Sequence, residues 1–380
     1  MLQSSLISLT DFLEPLNIYE LSDDTAFKNT QIGSSIEAYQ EKLPDVENAD
    51  IILLGCNETR GSGLRQSKTC AADAVRSELY KLFQWHTGVK MIDFGNIKTG
   101  ATPEDSYAAV QTVLAELIPL DKKIVLIGGS HDLTVAQYKA YTKLNRMVDM
   151  VCVDAFIDLN GADSMPSENF LLNIFTEEPN FLKQYNHIGF QSYFVHPNML
   201  ETIDRLRFDC FRVGKVKENM EEMEPVMRNA NLLTFDISAI QNAHAPANVA
   251  TPNGFTGEES CSLFQYAGLS QTINTVGVYG YEPEKDIHAL TAKQIAQNLW
   301  YFVDGVYKWK QEAHFDERHN FNEFHLAFAE METSFLQSLK TGRWWMKLPN
   351  GEFIACSHKD YLLAKQNEIP ERWLRAVERS

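Results

Sequence analysis

No apolar run in this chain is long enough to cross a bilayer. The longest, such as Ile124 to Ile127 and Leu232 to Phe235, fall far short of the roughly 20 residues a spanning helix needs. Paired cysteines are missing as well. The six cysteines stand at 56, 70, 152, 210, 261 and 356 with no CxxC among them, which removes the usual spacing of a zinc or redox motif and suits a reducing, cytoplasmic setting. Cys56 and Cys152 lie in strand-like runs, where a free thiol behaves as a small hydrophobe. Positive charge is scarce: 34 Lys and Arg face 51 Asp and Glu, a net charge of −17. Neither nucleic acid nor an anionic membrane is therefore an expected partner. The opening stretch, MLQSSLISLTDFLEPLNIYEL, has no basic residues ahead of its apolar ones, so no secretory signal is expected. No internal repeat is visible either. What remains is a small-molecule or protein partner.

The chain does have ordinary globular material, with 44% hydrophobic and 22% charged residues over 380 positions. Short apolar runs predict strands near Ile51–Gly55, Met91–Phe94, Ile124–Gly128, Val148–Val153, His187–Phe190, Phe208–Val213, Leu232–Ile237 and Thr275–Tyr279. Between them, amphipathic stretches predict helices over Ala72–Phe83, Pro103–Leu117, Leu133–Leu144, Pro197–Leu206, Glu218–Met227 and Glu258–Ala267. Thr256 and Glu259 have capping-box spacing for the last of these. Eight strands alternating with helices predict an α/β fold in three layers, a mostly parallel sheet covered on both faces. Beyond residue 290 the pattern changes. A long helix is expected over Ala292–Ala313, then a hairpin about Asn350-Gly351 in RWWMKLPNGEFIACS and a short helix from Tyr361 to Val377. The expected organisation is an N-terminal segment (1–48), an α/β domain (49–313) and a C-terminal extension (314–380).

In an open parallel sheet, ligands gather at the C-terminal strand ends. Three expected strand ends carry metal-type donors: His131 and Asp132 in IVLIGGSHDL, Asp154 and Asp158 in VCVDAFIDLN, and Asp236 in LLTFDISAIQ. Carboxylate and imidazole together suit manganese, iron or zinc. Bland readings compete. Asp132 is expected to cap the helix starting at Leu133. Gly128-Gly129 is open to a phosphate-cradling role in a nucleotide-binding protein, although it lacks the spacing of a dinucleotide fingerprint.

The order and spacing of these pieces resemble the ureohydrolases: arginase, agmatinase and formimidoylglutamase. GGSHD, DAFID and FDISAIQNAHAPA are similar to the family patterns GG-x-H, D-A-H-x-D and D-x-D-x-x-D-P-x-x-A-P. ILLGCNETRGSGLRQSKTCAADAVRSEL, with Arg76, resembles the family's first strand, glycine loop and helix, while TPNGFTGEES and VGVYGYEP resemble its later segments. The likeness covers roughly residues 50 to 310 and leans towards the formimidoylglutamase-like branch. It implies an arginase-like eight-stranded sheet and a homo-oligomer, trimer or hexamer. It also implies that His131, Asp154, Asp158 and Asp236 hold one divalent metal, manganese.

The departures matter as much. The resemblance puts two ligands of a second ion at positions 156 and 238, and these are Phe156 and Ser238. Phe has no lone pair to offer and a neutral hydroxyl is a poor substitute for carboxylate, so one ion is expected instead of two. Phe156 would fill the vacated space. Gln241 and Asn242 replace an Asp and a Pro, Leu171 stands at the position of a proton-relay His, and Gly280 at that of a Glu contacting the guanidinium. Glu282, expected on the same strand face as Gly280, is a displaced candidate for a catalytic carboxylate beside a metal-bound water. His244 is a further residue that could approach the ion. The expected function is metal-dependent hydrolysis of a C–N bond in a linear amidine or guanidine, with a formimidoylglutamate-, arginine- or agmatine-like substrate. The alternative is a catalytically inactive relative that serves as a ligand-binding or oligomeric partner. The aromatic tail residues Phe315, Phe321, Phe324, Trp344 and Trp345 are expected to bury either between subunits or on their own domain.

Overall fold

Apolar residues in the central strands alternate between two cores, because successive side chains of a strand point to opposite faces. Ile51 and Leu53 enter one core and Ile52 and Leu54 the other; Val125 and Ile127 again oppose Ile124 and Leu126. A computed structural model describes residues 8–22, 26–65, 69–328 and 331–379. Residues 1–7 of the N-terminal segment and 66–68 of the glycine loop lie outside it.

The eight expected strands are β3 (Ile51–Cys56), β4 (Met91–Ile97), β5 (Lys123–Gly128), β6 (Val148–Val153), β7 (Leu182–Phe190), β8 (Asp209–Arg212), β9 (Leu232–Asp236) and β10 (Thr275–Tyr279). They pair in parallel in the order β4-β3-β5-β10-β9-β6-β7-β8. Two short strands that the sequence did not announce, β1 (Leu13–Glu14) and β2 (Glu37–Ala38), both join β4, the first antiparallel and the second parallel. The sheet is thus ten-stranded and mostly parallel. Helices Ala71–Leu79, Gly257–Leu269 and Leu290–Trp309 cover one face. Pro103–Leu117, Leu133–Lys143 and Pro166–Thr176 cover the other, making the three-layer fold.

Local chemistry accounts for several boundaries. Thr256 caps the helix from Gly257 with Glu259 closing the reciprocal bond, as its spacing predicts. The single helix expected over Glu218–Met227 is instead two, Val213–Glu218 and Met223–Arg228, separated by Asn219 in a non-helical conformation (φ −148°, ψ 64°) and a 3-10 turn, Met220–Glu222. Pro225 has no N–H to give to residue 221, so a continuous helix there would lose a bond. The helix Pro166–Thr176 was not anticipated; it carries Phe170 and Leu171 into the core. Arg76 is fully buried and grips Asp93 through two bonds, Nε–Oδ2 at 2.8 Å and Nη2–Oδ1 at 2.9 Å.

The extension holds more structure than a hairpin and one helix. Strands β11 (Phe321–Phe328), β12 (Met331–Ser338), β13 (Trp344–Lys347) and β14 (Phe353–Cys356) form a separate antiparallel sheet. The hairpin at Asn350-Gly351 exists, but Leu348 N bonds Glu352 O at 2.7 Å, so its connection is three residues with Gly351 left-handed (φ 94°). The final helix is broken into His358–Lys365 and Glu371–Arg379, with Asn367 left-handed and Pro370 just ahead of the second piece. The aromatic tail packs onto its own chain. Arg228 Nη1 donates to Trp344 O at 2.6 Å, its guanidinium lies 4.6 Å from the Trp345 ring centre, and Arg343 Nη1 donates to Leu269 O at 2.9 Å.

Candidate metal centre

Four neighbouring strands, β5, β10, β9 and β6, bring their C-terminal ends together at one edge of the sheet. His131 follows β5, Asp154 and Asp158 follow β6, and Asp236 ends β9. All four line one cleft of about 680 Å³, together with Phe156, Ser238, Gly280 and Glu282. A larger cleft of about 770 Å³ lies between β8 and the C-terminal helices. None of the expected ligands lines it.

The His131 ring is held between Phe170 and Tyr279, with centroids 4.6 and 5.7 Å away. Its Nε2 is 2.8 Å from Thr234 Oγ1, which also bonds Thr134 Oγ1 at 2.7 Å. That contact turns Nδ1 towards the acids: Asp154 Oδ2 lies at 2.9 Å, Asp158 Oδ2 at 3.2 Å and Asp236 Oδ2 at 3.8 Å. Despite these short distances Nδ1 has no aligned hydrogen bond. A ring nitrogen that faces three carboxylates without pointing at any of them has the geometry of lone pairs converging on a common point. Such an orphaned buried atom calls for a partner, and the oxygen and imidazole donors suit a hard or borderline divalent ion.

The electrostatics agree. Burial, then repulsion from Asp154, pushes Asp158 well above the usual carboxylate range, and the same causes raise Asp236 to about 6. Burial acts on Asp154 too, but contacts from His131, Phe156 N and Ser238 outweigh it and hold that carboxyl low. Burial alone would lower His131; Asp154 and Asp158 beside it reverse this and keep it protonated well above its ordinary value. Without an ion, three crowded carboxylates share protons. A divalent cation would relieve the crowding.

Phe156 and Ser238, where the resemblance puts ligands of a second ion, both contact Asp154. Ser238 Oγ donates to Asp154 Oδ1, and Phe156 N donates to the same oxygen at 3.0 Å. Asp154 therefore presents only Oδ2 to His131. The Ser238 hydroxyl thereby ties the ends of β6 and β9, while Ser238 N donates locally to Asp236 Oδ1 at 2.8 Å. The Phe156 ring stacks on Phe194, centroids 4.5 Å apart.

Other expectations resolve differently. Asp132 occupies the N-cap position of its helix without capping it; its carboxylate takes the Tyr107 hydroxyl instead. Gly128-Gly129 serves chain packing: a side chain on residue 129 would run into the Glu58 carbonyl, and Gly129 N bonds Cys56 O at 2.9 Å. Strand β10 stops at Tyr279 and Gly280 turns left-handed (φ 77°), so Glu282 does not share a strand face with residue 280. It still lines the cleft, where Lys285 Nζ binds its carboxylate at 2.6 Å. His244 is exposed in its loop and is not among the residues lining the cleft. Leu171 is fully buried in the core. Sequence reasoning missed two neighbours of the site, Thr234 and Cys152. Donor atoms of His131, Cys152 and Asp154 lie within 4.8 Å of one another, while burial raises the Cys152 thiol to about 11. The signal was available in period two, since each residue precedes a site Asp by two positions on its strand.

Comparison with known proteins adds three findings. A family model described as the arginase family matches residues 49–303. A formimidoylglutamase of Macrococcus caseolyticus (strain JCSC5402) is 24% identical over 305 residues, covering 75% of this chain and 94% of that one. One of Staphylococcus haemolyticus (strain JCSC1435) is 21% identical over 247 residues, covering 61% and 77%. Among solved structures, Trypanosoma cruzi formiminoglutamase with Mn2+ superposes with a TM-score of 0.66 at 16% identity, covering 74% of this chain and 99% of that chain. Agmatine ureohydrolase of Thermoplasma volcanium gives 0.59 at 21% identity, covering 75% and 97%.

Proposed function

Because this chain belongs to the arginase family, we propose that it hydrolyses a carbon–nitrogen bond of a linear amidine or guanidine at a centre holding one divalent ion. Its ligands in this reading are His131, Asp154, Asp158 and Asp236. The observation that carries it is His131 Nδ1, buried, without an aligned bond, and facing three carboxylate oxygens. Manganese is assigned because the donors suit it and because the Trypanosoma cruzi relative is described with Mn2+. The reading of a single ion is supported by the contacts on Asp154 Oδ1. Two donors already occupy that oxygen, and Phe156 brings a ring where the resemblance puts a ligand. Six unpaired cysteines suit a reducing compartment, and a trimer or hexamer, as the resemblance implies, is read by sedimentation.

When bound, the ion supplies Lewis acidity that lowers the pKa of a water molecule. The chain's own residues then have separate tasks. Thr234 fixes the imidazole so that Nδ1 stays in the cleft, an orienting contact of the kind that tunes metal sites. Ser238 holds Asp154 in one rotamer. Asp158 and Asp236 keep the site negative, which favours a cationic amidinium over a neutral competitor. Phe156 and Phe194 keep water from one side of the cleft. Glu282, paired with Lys285, is the carboxylate in reach of a proton during turnover.

The test has two measurements on one preparation. Bound metal is counted by mass spectrometry, and urea, ammonia or formamide release is followed from a panel of guanidines and formimidoyl amino acids. One manganese per chain with release of product supports the proposal; a protein that takes up no divalent metal sinks it. A second reading, an inactive relative that binds a ligand or partners an oligomer, is favoured by the bare Gly280 and the core-buried Leu171. Retained metal with no turnover across the panel would select it.

A further inference from the structure

The cleft has an aromatic wall that metal binding does not require. Phe156 and Phe194 stack at 4.5 Å with 20° between their planes, and Tyr193 meets Phe194 edge-on at 4.7 Å. Both phenylalanines line the cleft, and Phe194 is 37% exposed. Ring surface left open in a cleft forgoes the burial that would stabilise it, and a ligand face recovers that burial. The charge of the lining is lopsided. Glu168 and Glu282 add to the three aspartates, whereas Lys285 is the only lysine or arginine among the described lining residues. Its ammonium is held by Glu282 at 2.6 Å. Nearby in sequence, Arg60 is committed to Glu58, Gly100 O and Ala101 O. Among the described residues that line the cleft, a carboxylate would meet the acids and no arginine.

Resting on the reading of this cleft as the ligand site, we propose that it takes a planar amidinium or guanidinium carried on an apolar or aromatic group, with no carboxylate tail. Phe156 is the platform on which the cation stacks. The family's metal chemistry is then joined to a different specificity from that named for its curated relatives, whose substrate carries two carboxylates. The acids of the cleft attract the delocalised cation, and the ring pair covers its flat apolar face. The residue that displaced a second ion becomes the residue that selects the ligand.

Isothermal calorimetry on the full chain, incubated with Mn2+, compares benzamidine with N-formimidoyl-glutamate. Benzamidine is expected to bind at least about tenfold more tightly, and Phe156→Leu, which keeps bulk but removes the π face, to weaken it about fivefold or more. Formimidoyl-glutamate binding as tightly as benzamidine, no benzamidine binding, or an unchanged Phe156→Leu affinity would each overturn the proposal. Should Phe156→Leu fail to fold, Phe194→Leu tests the same wall. Metal content measured on the same samples separates the two readings. Benzamidine bound by a protein without metal removes the one-ion centre and leaves the specificity. A metal-loaded protein that prefers formimidoyl-glutamate does the reverse.

Discussion

Gly280 makes room for Asp236. A Cβ on residue 280 would lie 2.8 Å from Asp236 Oδ1, 2.9 Å from its Cγ and closer still to Oδ2. The residue is also left-handed, with φ 77°, a conformation that costs other residues roughly 1–2 kcal/mol. The family resemblance sets a glutamate here, yet any side chain would push Asp236 out of the cluster facing His131. Gly280→Ala is therefore expected to lose at least about tenfold in Mn2+ affinity together with about 1–2 kcal/mol of stability. Competition against a chelating dye and a urea melt read the two effects separately.

Thr234 holds His131 from behind at 2.8 Å. Replacing it with isosteric Val removes the bond and keeps the shape, freeing the imidazole to turn. Mn2+ affinity should fall about 10–100-fold, as for other groups that orient a metal ligand. A dissociation constant matching the parent's would show that Thr234 only fills space.

Ser238 donates to Asp154 through a neutral hydroxyl. In Ser238→Asp that donor becomes a second carboxylate against the first, so the metal-free protein should lose about 1–3 kcal/mol. Adding Phe156→His supplies a neighbouring imidazole. The double variant is expected to take up two Mn2+ per chain where the parent takes one, counted by mass spectrometry; two ions on the parent would contradict the one-ion centre.

Arg76 and Asp93 are both fully buried. Arg76→Met leaves the Asp93 charge alone with Tyr80 Oη at 2.7 Å and Gly95 N at 2.8 Å. Removing one partner of such a pair costs about 3–5 kcal/mol. The midpoint of urea unfolding should drop accordingly, with an unchanged slope.

Lys123 lies at the opposite end of β5 from the metal centre, its ammonium donating to the carbonyls of Ser270, Gln271 and Ile273 at 2.8 to 2.9 Å. Burial lowers it to about 8 from 10.5. Between those pH values the unfolded chain holds a proton that the folded chain releases, so stability rises with pH through this window. Relative to Lys123→Met, the parent should gain stability from about pH 8 to about pH 10.5 and show no difference in slope below it. Parallel melts of both proteins across that range decide the matter.

Much of the fold was legible because its signals are local. Ile51 to Leu54 and Ile124 to Ile127 are apolar at every position, which only a strand buried on both faces tolerates. Thr256 and Glu259 announced their helix three residues apart. The C-terminal sheet was not legible. β11 reads FNEFHLAF and sets polar residues among aromatics, since it packs against Trp344 and Tyr361 from later in the chain instead of alternating against one core. Glu282 was misplaced for a similar reason: the strand ends where Gly280 turns left-handed, and a glycine's φ is free until its surroundings fix it.

By itself the sequence determined which residues have donor chemistry and that His131, Asp154, Asp158 and Asp236 fall at strand ends, because strand period and residue type are properties of short segments. Tertiary structure alone decided where those donors aim. Thr234 turns His131, Ser238 occupies one oxygen of Asp154, Gly280 yields space to Asp236, and Phe156 finds Phe194. Each pairing joins side chains from different strands or loops, so it exists only once the sheet order has set β5, β10, β9 and β6 side by side.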